Sequence, residues 1–140
     1  MGRINWGSVI LCGLLTGLVL NVVDGVLYGV VLKADLDAAM TALNRPAMAN
    51  SAMVWFVVCD FLFGIYFMWL YAAIRPRFGA GPRTALIAGL AMWVLFGVLH
   101  WISEEPMGLF PAKIYVIGLT VALIQYPVSV MAGAKFYKEA

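Results

Sequence analysis

Solid apolar runs separated by short polar connections set the pattern of this chain. Four runs reach the length of about 20 apolar residues that a bilayer-spanning helix needs. They cover roughly residues 7–32, 52–74, 84–102 and 111–134. None alternates with period two, so a closed β-barrel is not indicated. Helices then remain as the way to satisfy every backbone group within lipid. The reading is an all-α membrane protein: one integral membrane domain over residues 1–140, folded as a four-transmembrane-helix bundle. The first run follows Arg3 as a signal peptide would, but it is too long and is interrupted by Asn21 and Asp24, so a retained span is expected.

Proline marks the connections. Arg45-Pro46 closes the first, Arg75-Pro76 and Gly81-Pro82 bracket the second, and Glu105-Pro106 and Pro111 bracket the third. Pro127 lies inside the fourth run and predicts a kink there. The first connection, 33–51, is the longest, and Leu36, Met40 and Leu43 recur in it at helical spacing. It reads equally as a flat surface helix or as an ordinary loop.

The first and third runs resemble each other at a constant offset of 72 residues. Gly17 falls on Gly89, and Gly25-Val26-Leu27 on Gly97-Val98-Leu99. Such a repeat implies two tandem helical hairpins. Two crossings per unit give both copies the same orientation, related by a pseudo-two-fold along the membrane normal.

Composition sharpens the picture. Of 140 residues, 64% are hydrophobic and 11% charged. A soluble domain carries about 25% charged residues to cover its surface. The net charge of +2 is small and unclustered, which argues against nucleic acid as a partner. Near the span ends, Arg3, Arg75, Arg77, Arg83, Lys135 and Lys138 lie on one side; Lys33, Arg45 and Lys113 lie on the other. That asymmetry predicts cytoplasmic termini in a bacterial inner membrane. Trp55, Trp69, Tyr71, Trp101 and Tyr115 fall near span ends, where amphipathic rings anchor.

Three sets of residues carry candidate roles. Gly13, Gly17, Gly25 and Gly29, with Asn21 in register, leave a groove along the first helix. The groove suits either packing within the bundle or an interface with another chain. Arg75, Arg77 and Arg83 in the second connection suit anionic lipid headgroups. Asp24 and Asp60 lie about two helical turns inside the same predicted boundary, so antiparallel helices bring them to one depth. Intramembrane acids either fix a bundle or hold a proton or cation. Asn21 and His100 complete this candidate polar site.

No catalytic constellation is legible, and no cofactor or metal is expected. The single histidine excludes bis-histidine haem within one chain. Cys12 and Cys59 form no CxxC pair and lie at different depths. The sequence favours a non-enzymatic packing or assembly unit, associating in the bilayer with itself or with other membrane subunits. The alternative is a small proton- or cation-coupled transporter or channel using Asp24 and Asp60.

Overall fold

The structure, a computed structural model, describes residues 3–140. Five helices form: α1 (Trp6–Val31), α2 (Lys33–Ala42), α3 (Asn50–Phe78), α4 (Pro82–Met107) and α5 (Ala112–Ala134). All except α2 are long and apolar enough to cross a membrane. The chain is an integral membrane protein built as a four-helix bundle. α1 widens into a π turn over Leu27–Val31, and α4 does so over Trp93–Leu99.

Helix ends follow local chemistry. Asn5 caps α1 by accepting the Ser8 N–H at 3.1 Å. Pro82 opens α4 from the first turn, where no N–H is missed. The expected break at Arg75-Pro76 does not occur: α3 runs through Pro76 to Phe78. A proline late in a helix removes one hydrogen bond without forcing the following residues out of helical geometry. The stop comes at Gly79, whose φ of 87° suits a residue without a Cβ. α5 likewise passes through Pro127 and continues to Ala134.

The four spans occupy the corners of a rhombus. α1 packs on α3 and α5, and α4 packs on the same two. α3 and α5 meet across the short diagonal. Exchanging α1 with α4 and α3 with α5 maps these pairings onto one another, as two related hairpins require. Equivalent positions also act alike. Gly17 faces the α3 backbone at Phe61, and Gly89 faces the α5 backbone at Pro127. Asn21 donates to the Val57 carbonyl on its hairpin partner at 3.2 Å; Trp93, 72 residues later, donates to Leu119 on its own at 2.9 Å.

The core divides along the bundle. At the end carrying both termini, Val9, Phe67, Met68, Tyr71, Ala85 and Val130 pack together. Tyr71 is therefore a core residue rather than an interfacial anchor, and its hydroxyl accepts the Gly81 N–H at 3.2 Å. The termini are clasped there. The Asn5 N–H reaches the Tyr137 hydroxyl at 3.3 Å, and the Lys138 N–H reaches Ser8 Oγ at 2.9 Å. At the opposite end a smaller cluster joins Leu27, Leu32, Ala39 and Ile114. It fixes α2, which is the helical outcome for the first connection. Lys113 on α5 also bridges to both Asp35 carboxylate oxygens, at 2.8 and 2.9 Å.

Candidate functional site

The polar residues gather between the two apolar clusters, where α1, α3 and α5 meet. Asn21 sits on the α1 stripe that faces α3. Its amide donates both to Gly17 within its own helix, at 3.0 Å, and to Val57 across the interface. That interface is close because three glycines form it. A Cβ on Gly64 would strike the backbone of Gly13 and Gly17, and one on Gly17 would lie 2.7 Å from Phe61 Cα. The close crossing holds Asp60, just one residue before Phe61, against α1.

Asp24 and Asp60 do not share a level: Gly17 lies against Phe61 and Asn21 against Val57, a register that sets the two acids about 9 Å apart along the bundle, within electrostatic range but not in contact. The Gln125 side chain on α5 reaches Asp24. Gln125 is itself buried, and its amide donates to the Leu20 carbonyl of α1 at 3.3 Å. Tyr28 extends from α1 so that its hydroxyl lies over Gly118 of α5. The Tyr28 and Tyr126 hydroxyls both lie within electrostatic range of the two carboxyls. The site thus contains two acids, two amides and two phenols contributed by three helices. Both carboxyls remain half-buried rather than enclosed.

Other candidates separate from this group. His100 stands exposed at the α2 end of α4 and faces Glu104 at 3.3 Å, which also accepts from Tyr115. Its imidazole makes no polar contact with the aspartates. A histidine one span away looked near in depth, but α1 and α4 lie at opposite corners.

The glycine ladder divides. Gly13 and Gly17 are buried against α3. Gly25 and Gly29 meet nothing within 4 Å, so they do not pack within this bundle. The hairpin opens above Asn21, and the stripe continues without a facing helix. The arginines divide too. Arg77 and Arg83 are exposed. Arg75 is mostly buried, with Nε 3.4 Å from Glu139 and its guanidinium 5.3 Å from the Tyr137 ring centroid. It ties α3 to the C-terminal segment.

In the sequence Gln125 and Tyr126 stand out only as polar residues next to Pro127. Their signal was polarity within the fourth run, but only the packing of α5 against α1 reveals what they meet. Among the described residues, no three His, Cys, Asp or Glu side chains are arranged to hold a metal ion.

Comparison with known families, characterised proteins and solved structures finds no match to this chain.

Proposed function

We propose that this is a small proton- or cation-coupled membrane protein acting through Asp24 and Asp60. One observation carries the reading: α1 and α3 hold two intramembrane acids within electrostatic range of each other, with the Gln125 side chain of α5 reaching Asp24. Ionisable groups at this depth are costly in hydrocarbon, and here they share a polar environment able to exchange hydrogen bonds with a bound proton or ion. The glycine ladder, which favoured a packing role, is consumed in its inner half by the chain's own α3. An assembly role stays as the second reading, supported by the unfilled outer half of that ladder.

The proposed setting is a bacterial inner membrane with both termini cytoplasmic and α2 at the outer surface. A cysteine at Ala47, in a chain without Cys12 and Cys59, should react with an impermeant thiol reagent on intact cells. Reaction only after permeabilisation would reverse the orientation.

The functional test compares Asp24→Asn and Asp60→Asn, singly and together, in proteoliposomes under a pH or cation gradient. Asn preserves shape and most hydrogen bonding while removing the ionisable group. Flux lost in folded variants supports the proposal. A parent protein without flux, destabilised by Leu but not by Asn at these positions, would leave the acids as structural contacts.

A further inference from the structure

The C-terminal segment turns back across the start of α1. α5 ends at Ala134, the buried Tyr137 accepts the Asn5 N–H at its hydroxyl, and the Lys138 N–H donates to Ser8 Oγ at 2.9 Å. Burying Tyr137 turns its neighbours Phe136 and Lys138 outward, and both are exposed. Between this segment and α1 lies an open groove of about 620 Å³, whose lining includes Asn5, Ser8, Leu11, Leu15, Phe136 and Lys138.

The groove is polar at one end and apolar at the other. Ser8, Leu11 and Leu15 follow at intervals of three and four residues, so they share one face of α1. Leu15 lies about 10 Å deeper along the helix than Ser8. Trp6, 59% exposed, marks the interface level at which amphipathic rings settle. Asn5, Ser8 and Lys138 are therefore at headgroup depth, while Leu11, 71% exposed, faces the acyl chains. Charge completes the match. Among the described residues, Lys138 pairs with no acid, and the one acidic side chain at this end, Glu139, is held by Arg75 at 3.4 Å. Lys135 lies 5.9 Å from the Phe136 ring centroid, and Arg3 is exposed two residues before Asn5.

We propose that this groove binds an anionic phospholipid, with one acyl chain along Leu11 and Leu15 and the phosphate at Lys138 beside Asn5 and Ser8. The Ser8 N–H occupies Asn5 Oδ1, which leaves the Asn5 amide N–H groups to donate to a phosphate oxygen. The terminal clasp fixes these groups before a lipid arrives, so little ordering is lost on binding. The exposed arginines Arg77 and Arg83 attract headgroups by charge alone. α4, which begins beside Arg83, stands at the corner opposite α1, and the groove adds a wall for the tail. Neither aspartate takes part, and the lipid fits in whichever leaflet this end resides.

Native mass spectrometry of the full chain in detergent tests the site, with dioleoyl phosphatidylglycerol or dioleoyl phosphatidylcholine added at equal concentration. One phosphatidylglycerol should stay bound per chain, in preference to phosphatidylcholine. Lys138→Gln should weaken that retention about fivefold, the weight of one basic residue near an anionic headgroup. Leu11→Trp keeps every charge but fills the groove, and should weaken retention too. Both side chains are exposed, so the fold does not depend on them. Arg83→Gln removes the same charge from the opposite corner and should change retention little. Inorganic phosphate at the same concentration should not displace the lipid. Equal retention of the two lipids overturns the proposal, as does equal loss in Lys138→Gln and Arg83→Gln, which would leave only bulk charge attraction. Displacement by phosphate would mark an anion site without a tail and overturns it as well. So does retention unchanged in either Lys138→Gln or Leu11→Trp. Lipid retention is read without any flux, so this proposal and the proton or cation reading can each fail alone.

Discussion

At Gly17 a side chain has nowhere to go, whereas at Gly25 it has open space. The added Cβ at Gly17 would lie 2.7 Å from Phe61 Cα and 2.9 Å from the Asp60 carbonyl oxygen. Gly17→Leu should therefore lower thermal stability by about 1–3 kcal/mol or more, the usual cost of overpacking a close contact. Leu18→Ile, at an exposed position, should change little. A thermal melt of the two variants in one detergent checks the contrast, and equal melting would contradict the close α1–α3 contact. Gln125 offers a second residue-scale test. Gln125→Leu removes the donor to Leu20 and the amide beside Asp24. Interhelical hydrogen bonds in membranes average about 0.6 kcal/mol, so the expected stability loss is small. If the carboxyl pair binds protons or cations, the flux profile of Gln125→Leu should shift more than its melting temperature.

Single positions were legible in the sequence to different extents. Counting residues inward from one boundary gives Asp24 and Asp60 one depth, but the helices pair with Gly17 at Phe61 and Asn21 at Val57, which leaves the acids about 9 Å apart along the bundle. Which face each helix presents was not available from apolar runs, since a span can be hydrophobic all round. Residue counting therefore groups His100 with the acids and Gly25 with Gly17, and the packing separates both pairs. The same limit hides Gln125 as a partner of α1.

Among the elements, α3 and α2 show how termini and faces are set. Pro76 lies inside α3, and Gly79 ends it at a positive φ. Pro76→Ala should leave the melting temperature nearly unchanged or slightly raised. Gly79→Ala should lower stability by about 1 kcal/mol, since a Cβ disfavours that conformation. Reversal of this order would mean that the proline, not the glycine, ends the helix. For α2, attachment rests on the packing of Leu36 and Ala39 more than on the Lys113–Asp35 pair, whose side chains are 61% and 31% exposed. Exposed pairs contribute about 0–1 kcal/mol. Limited proteolysis within Lys33–Ala42 should rise sharply for Leu36→Asp and only slightly for Lys113→Met.

For the whole molecule, four spans were predictable because lipid leaves the backbone few alternatives. The hairpin repeat was weaker in sequence, since apolar stretches match readily. Gly17 and Gly89 each lie against the backbone of their own hairpin partner, and Asn21 and Trp93 each donate to a carbonyl on it, although those partner residues do not keep the 72-residue offset. The two ends of the bundle differ in tightness. Buried residues and the terminal clasp concentrate at one end, while the outer arm of α3 stands bare at the other. Hydrogen exchange in detergent micelles should be slow around Phe67–Ala72 and fast over the first turns of α3.

The terminal clasp also bears on how the chain is made. Asn5 meets Tyr137 and Ser8 meets Lys138, contacts between residues 132 and 130 positions apart. At about 5–20 residues per second, α1 waits on the order of ten seconds before those partners exist. Asn21 gains the Val57 carbonyl much sooner, once α3 follows it into the membrane. Asp24 must wait much longer, for Gln125 on α5. The glycine crossing of α1 and α3 would thus hold an unfinished polar surface in place until α5 arrives, making the first hairpin the vulnerable intermediate of biogenesis.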